Sequence, residues 1–354
     1  MKKHNFSAGP AILPQEVLQQ AAAAVRELDG IGLSLIEISH RSKEFIAIMQ
    51  EAQALVLELL GIENKGYEVL FLQGGASNQF LMVAQNLLEK KAGYLNTGTW
   101  SSNAIKEAKL YGTVHELASS KETNFNYIPK NYMIAEDLDY VHLTTNNTIF
   151  GTQLKTLPDT DIPLVADMSS DIFSQPFPYE KLALFYAGAQ KNMGPAGTTL
   201  VVVKKDLLGK VSRTIPSMLD YQVHIDKESM FNTPPVFAIY TSLLNLRWIK
   251  AQGGLQQIGK LNHEKAALIY DEIDRNSCFS GFAAKEDRSI MNVTFNLNDP
   301  SKAAAFDALW TEKGISGLKG HRSVGGYRAS IYNAMPIESI KVLVACMQTF
   351  EKQQ

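Results

Sequence analysis

Apolar positions along this chain recur first at helical spacing and then as short continuous runs, and the alternation of the two is its main structural signal. Val17, Leu18, Ala21, Val25 and Leu28 share one face of a helix that opens at Pro14, where a missing N–H costs nothing. The spacing carries that helix to about Asp29, with Gly30 as its stop. Ile48, Met49, Ala52, Leu55, Val56 and Leu59 repeat the pattern over 43–60, ahead of Gly61. From there strand, turn and helix alternate. Residues 67–72 read as a strand, Gly74-Gly75 as a turn and 77–88 as a helix, followed by a strand at 92–95 and a helix at about 101–110. Runs at 140–143, 162–166, 182–186 and 198–203 are β-branched and unalternating, which suits strands covered on both faces.

Long helices follow at about 235–251 and 255–275, with Gly253-Gly254 between them. The remainder reads helix, strand (290–297), helix (302–313), strand (327–332) and helix (337–350). The expected fold class is α/β: a large domain over 14–255 with a mainly parallel central sheet flanked by helices, then a smaller α+β domain over 256–354. Residues 1–13 are expected to pack near the smaller domain.

Length and charge narrow the function. The 354 residues correspond to about two domains. With 34 basic and 36 acidic side chains the net charge is −2, which excludes a broadly basic nucleic-acid surface and a polybasic membrane binder, though not a local basic pocket. No apolar run approaches the roughly 18 residues of a membrane span. The opening MKKHNFSAGPAILP has no apolar core of a secretory leader. Two cysteines, Cys278 and Cys346, make neither a disulfide framework nor a zinc cluster, so a reduced cytoplasmic setting is expected, without a metal.

Four elements between residues 74 and 191 then fit one cofactor. Gly74-Gly75-Ala76-Ser77 follows a strand and opens a helix, where small residues and free N–H groups accept an anion. Trp100 lies just beyond the 92–95 strand, at the edge where a planar ligand stacks on an indole. Asp167 ends the apolar run 162–166, a costly place for a carboxylate without a cation. Lys191, in Gly188-Ala189-Gln190-Lys191-Asn192, sits between two apolar strands among small residues, where an amine with a depressed pKa can form a Schiff base. Singly these have other readings as well: a strand–helix turn, a core or interface indole, a helix cap and a solvated lysine. Jointly they describe a site for pyridoxal phosphate. Ser39-His40-Arg41, Gly320-His321-Arg322 and Tyr327-Arg328 add arginine forks suited to a doubly anionic substrate. Arg328 opens an apolar strand, where an unpaired guanidinium is expensive.

These residues, with Asn5-Phe6-Ser7-Ala8-Gly9-Pro10, Asn192-Met193-Gly194-Pro195, Asn232-Thr233-Pro234-Pro235 and Arg328-Ala329-Ser330-Ile331-Tyr332-Asn333-Ala334, resemble the phosphoserine aminotransferase family almost end to end. The resemblance implies a class-V transferase of fold type I, a homodimer with shared active sites and one pyridoxal 5'-phosphate per subunit. It makes Lys191 the Schiff-base lysine, pairs Asp167 with the pyridine nitrogen and stacks Trp100 on the ring. Ala76, Ser77 and Gln190 fall at the cofactor phosphate, Thr148 near its ring hydroxyl, and Asn232 and Thr233 at the phosphate of the neighbouring subunit. His40, Arg41, His321 and Arg322 match residues that hold the substrate's phosphate, some across the interface, and Arg328 the one that clamps its α-carboxylate. One departure is Ser77, where some members carry arginine. The implied reaction is ping-pong transfer of an amine from L-glutamate to 3-phosphohydroxypyruvate in L-serine biosynthesis, with 4-phosphohydroxy-L-threonine of pyridoxine biosynthesis as a second product. The rival is a class-V aminotransferase for an unphosphorylated acid, of serine–pyruvate or alanine–glyoxylate type; the paired His-Arg clusters weigh against it.

Overall fold

The strand expected over 67–72 forms as Tyr67–Leu72 (β1) in the computed structural model, which describes residues 3–353. Residues 1–2 and 354 of the expected terminal segments lie outside that range. Six further strands join β1 in one sheet: Lys91–Asn96 (β2), Thr113–Ser119 (β3), Val141–Thr144 (β4), Leu164–Asp167 (β5), Leu182–Gly188 (β6) and Thr199–Lys204 (β7). Across the sheet they run β1-β7-β6-β5-β4-β2-β3. Every pairing from β6 to β3 is parallel, and β7 is antiparallel to both of its neighbours. β1 therefore points the same way as β6, and the C-terminal ends of β1, β2, β4, β5 and β6 open on one edge. That edge is where sheets of this kind collect ligands.

The alternation of side chains along the strands divides the core between the two faces. Val69 and Phe71 of β1 face Phe45, Met49 and Val56 of the helix Lys43–Leu60, with Ile239 and Leu243 of the helix Val236–Ala251 in the same cluster. Leu70 and Leu72 face the other way, onto Phe80 and Val83 of the helix Gly75–Leu87 and Ala104 of the helix Thr99–Ala108. Both layers are apolar, so the central strands show the unbroken burial expected of them.

Three local differences have simple causes. The first helix spans Gln15–Arg26 and stops before Asp29, with Glu27 extended; Gly30 takes its left-handed φ of +77° in the loop beyond. Its buried stripe is Val17, Ala21 and Ala24, so Leu18, one position off that line, is 42% exposed. β3 was not expected because it is an edge strand with exposed polar positions and no apolar run.

The C-terminal part holds its own core. Phe279–Gly281 (β8), Asn292–Leu297 (β9) and Tyr327–Ser330 (β10) form an antiparallel sheet. It packs with the helices Gly254–Arg275, Ala303–Glu312 and Ile337–Lys352, while Phe6 is buried in the same cluster and His4–Asn5 pairs with Ile315–Ser316. At the centre, Phe306 is ringed by Phe279, Tyr327 and Phe350 with centroids 5.0–5.1 Å away. Among the described residues no helix is long and apolar enough to cross a membrane. Phe306→Ala is expected to destabilise this part by about 3–5 kcal/mol, the cost of an unfilled aromatic cavity. Urea titration followed at the adjacent Trp310 measures it, and a loss below about 1 kcal/mol would contradict the central packing role.

Candidate active site

Asp167 ends β5 at the open edge, between Thr144 of β4 and Tyr186 of β6. It is buried, its Oδ1 accepts one hydrogen bond from Ser169 N at 2.9 Å, and among the described residues it has no ion pair. Burial holds its pKa above the usual carboxylate range, against the pull of the Lys191 charge and the Ser169 N–H.

Lys191 lies in the turn that leaves β6. Buried Ala189 and Met193 flank it, and glycines at two points let the backbone close around it. A Cβ on Gly188 would approach Gln190 Oε1 to 2.7 Å, and one on Gly9 would approach Lys191 Cγ to 3.2 Å. The N-terminal segment is thereby held on the turn, with Ala11 N donating to Gln190 O at 2.9 Å. The Lys191 amine donates to Thr148 Oγ1 at 2.8 Å and sits 5.7 Å from the Trp100 ring centroid. Burial lowers its pKa to about 8; Arg328 pushes the same way, and Asp167 and Asp171 oppose it.

Thr148 also meets the C-terminal sheet. Its carbonyl accepts from Arg328 Nη1 at 3.4 Å, while Arg328 Nε is buried with no partner among the described residues. One threonine thus links the amine of one part of the chain to the guanidinium of the other. Trp100, the second residue of its helix, likewise carries a buried Nε1 without a partner among the described residues.

At the end of β1, Gly74 and Gly75 take left-handed φ of +96° and +68°, and a Cβ on Gly74 would meet Asn78 Cβ at 2.5 Å. No side chain caps the helix that follows, so its first N–H groups, at Gly75, Ala76 and Ser77, are left for an anion. Asn232 Nδ2 donates to Gln73 Oε1 at 2.9 Å, and Gln73 Nε2 to Thr233 O at 2.7 Å, which places both expected residues beside this turn in the same chain. His321 bonds Ser323 Oγ at 2.6 Å through Nδ1. Burial, then Arg328 and Arg322, lower its pKa, so the three form one basic neighbourhood. Its loop is tight: a Cβ on Gly320 would fall 1.9 Å from Gly325 O. His40 and Arg41 are not brought to this cluster within the chain. They precede the helix Lys43–Leu60 on an exposed turn in which Arg41 N donates to Ser39 Oγ at 3.1 Å.

Periodicity missed a second buried carboxylate. Asp171 accepts from Thr145 Oγ1 at 2.5 Å and Gln153 Nε2 at 3.2 Å, and burial pushes its pKa up to about 6. The available signal was Thr144-Thr145-Asn146-Asn147-Thr148, a polar run that reads as a surface loop yet is wholly buried. Beneath the sheet, His142 stacks on Tyr94 at 4.9 Å and bonds Tyr186 OH at 2.9 Å. Burial lowers its pKa to about 3, so its ring is neutral.

This donor set fits pyridoxal phosphate. A buried carboxylate without a protein cation suits a protonated ring nitrogen, the indole suits the ring, the uncapped helix start suits the phosphate, and a lysine of lowered pKa suits the aldehyde.

Comparison with known proteins agrees. The model of the family "Aminotransferase class-V" matches residues 3–343. The chain is 63% identical to the phosphoserine aminotransferase of Flavobacterium johnsoniae, over the full length of both. It superposes with a TM-score of 0.97, at 46% identity over all of both chains, on a phosphoserine aminotransferase solved in work on radiation damage of its Schiff base. On the PLP-bound phosphoserine aminotransferase of Trichomonas vaginalis the TM-score is 0.93, at 38% identity over 98% of this chain and 100% of that one. With its sheet order, its edge-lying lysine and aspartate and these full-length matches, the chain belongs to the phosphoserine aminotransferases of the class-V aminotransferase family.

Proposed function

We propose that this chain moves the amine of L-glutamate to 3-phosphohydroxypyruvate on pyridoxal 5'-phosphate, giving O-phospho-L-serine for serine biosynthesis, with Lys191 and Arg328 acting on one substrate. The observation that carries this division of labour is Thr148, which touches both the Lys191 amine and the Arg328 guanidinium. When bound, pyridoxal phosphate supplies an aldehyde for the amine and a protonated ring that withdraws electron density from the substrate Cα.

The protein's part is binding and proton transfer. Asp167 keeps the ring nitrogen protonated, because a buried carboxylate is stabilised by an adjacent cation. Trp100 holds the ring plane, and Thr148 stands at the ring hydroxyl. Ala76, Ser77 and Gln190 hold the cofactor phosphate on the start of the helix Gly75–Leu87. Arg328 grips the α-carboxylate bidentately and so sets which Cα bond faces Lys191. The Lys191 amine, with its pKa lowered to about 8, takes that proton and would return it at the carbon that the cofactor's aldehyde contributes. His321 and Arg322 hold the substrate phosphate, and the same groups accept 4-phosphohydroxy-L-threonine on the route to pyridoxine.

His40 and Arg41 complete the site of a second copy of the chain, making a homodimer with shared active sites; Asn232 and Thr233, bonded to Gln73 beside their own chain's glycine turn, would reach the second copy's cofactor phosphate where the two chains adjoin. Supporting this, His40 and Arg41 stand apart from their own chain's cluster, and exposed Leu33 and Ile36 precede one segment while Phe231 and Phe237 bracket the other. The division of domains is placed between residues 255 and 256; the helix Gly254–Arg275 passes from the large core, at Leu255 and Ile258, to the small one, at Ala266, a little beyond that point, and buried Phe6 supports an N-terminal segment packed on the smaller domain. The unpaired thiols of Cys278 and Cys346 support a cytoplasmic location.

Three outcomes test the reading. Lys191→Ala is expected to lose at least about 10³-fold in turnover, and borohydride should no longer fix the cofactor to the protein; fixation at another lysine would contradict the assignment. The neutral amine of a lysine with pKa about 8 is scarce below that pH and dominant above it. Uptake of pyridoxal phosphate by the apoenzyme should therefore quicken about tenfold per unit below pH 8 and level off by about pH 9. A rise continuing beyond pH 10 would mean an ordinary lysine. Arg322→Ala should raise KM for 3-phosphohydroxypyruvate about 10- to 100-fold, the worth of one hydrogen bond to a charged group. KM for glutamate should hardly change, and equal turnover of the dephosphorylated oxo acid would sink the phosphate assignment.

A further inference from the structure

Three segments that carry Asp167, Lys191 and Arg328 are joined behind the site by a buried amide network. Asn192 directly follows Lys191. Its Oδ1 accepts from Asn333 N at 2.9 Å, its Nδ2 donates to Ile172 O at 2.6 Å, and its carbonyl accepts from Asn245 Nδ2 at 3.3 Å. Asn333 lies beyond β10, the strand of Arg328. Its Nδ2 donates to Phe173 O at 2.9 Å, and its Oδ1 accepts from Asn262 Nδ2 at 2.8 Å. Asn262 Nδ2 reaches Ser174 O as well, at 2.8 Å. Ile172, Phe173 and Ser174 belong to the segment that leaves β5 after Asp167.

One turn further along the helix Gly254–Arg275, the buried Lys265 amine donates to Ile331 O at 3.0 Å and Tyr332 O at 2.8 Å. It thereby pins the two residues that separate β10 from Asn333. Asn192, Asn262, Asn333 and Lys265 are all buried, and each amide oxygen and nitrogen of Asn192 and Asn333 has a partner. Buried amides with complete partners define one geometry, because any shift strands a polar group in an apolar setting. Phe173 takes a left-handed φ of +58°, uncommon for a bulky residue, while its carbonyl receives the Asn333 amide.

We propose that Asn192 and Asn333 are positioning residues whose bonds to each other and to the segment that follows Asp167 set the separation between the Lys191 amine and the Arg328 guanidinium. The inference rests on the roles given to those two residues above. Neighbouring residues stand about 3.8 Å apart, so fixing Asn192 fixes the root of the Lys191 side chain. Lys265 and Asn333 hold the chain just beyond Arg328 in the same way. A substrate gripped by its carboxylate then presents its Cα proton at a set distance from the amine. A misplacement of about 1 Å between reacting groups costs about 100-fold in rate.

The test is single-turnover conversion of the holoenzyme by glutamate, with normal and α-deuterated substrate. Asn333→Ala keeps the backbone donor to Asn192 and removes the links to Phe173 and Asn262. The expected result is a 10- to 100-fold slower turnover per bound cofactor, with a larger deuterium isotope effect and a glutamate Kd within about threefold. Lys265→Met, which retains the buried stem, should move the same quantities in the same direction and serves if Asn333→Ala does not fold. Unchanged rate and isotope effect per bound cofactor, with only a lowered Tm, would overturn the proposal and leave a structural tie. So would a loss of affinity equal to the loss of rate. Arg328→Gln separates the layers: if it leaves glutamate affinity intact, the clamp fails and this inference with it. If it weakens affinity while the asparagine and lysine variants behave as wild type, only the positioning role fails.

Discussion

Two charged groups, the Lys191 amine and the Asp167 carboxylate, are taken out of water at one sheet edge without forming an ion pair with each other. Each is shifted toward its neutral form by burial, and each raises the other's preference for charge. A close salt bridge would quench both. Held apart, the carboxylate remains available to a ring cation and the amine to an aldehyde. Much of the surrounding structure serves this separation. Parallel β5 and β6 deliver the two residues to one edge, and Thr148 occupies the amine with a neutral hydroxyl. Small residues at Gly9 and Gly188 keep the lysine turn compact.

The second carboxylate, Asp171, adds to the same electrostatic economy. Its hydrogen bonds from Thr145 and Gln153 stabilise the charged form, while burial and Asp167 oppose it. Gln153 Oε1 in turn accepts from Lys155 Nζ at 3.1 Å, so the acidic interior of the site is connected to a surface amine through one amide. Buried polar chains of this kind leave few alternative arrangements.

The architecture was largely legible because central strands and two-faced helices write unambiguous patterns. The strand at 67–72 and the helix over 43–60 lie where apolar spacing put them. β3 and β8 were not legible: one is an exposed edge, the other spans only three residues, and neither imposes a run of apolar side chains. For the site, a carboxylate closing an apolar strand and a lysine among small residues stood out as expensive, hence informative. Asp171, Asn192 and Asn333 did not, since an amide or carboxylate in a polar stretch looks solvated until the fold closes over it. Thr148, Gln190, Asn232 and Thr233 came from the family resemblance and from no spacing rule. His40 and Arg41 illustrate another limit, because they lie on an exposed turn and nothing in the periodicity of the chain says what such a residue faces.

The strand β7 runs against both of its neighbours, and the two reversals cancel. Direction in this sheet behaves as a parity: an even number of inversions between β6 and β1 returns the last strand to the common heading. With an odd number, the uncapped helix start after β1 would emerge at the opposite rim. That is a displacement of about 20 Å for a six-residue strand at roughly 3.3 Å per residue. The anion cradle and the lysine turn would then belong to two different surfaces. The single active edge therefore survives the inversion of β7, because a strand set between two others reverses two pairings at once.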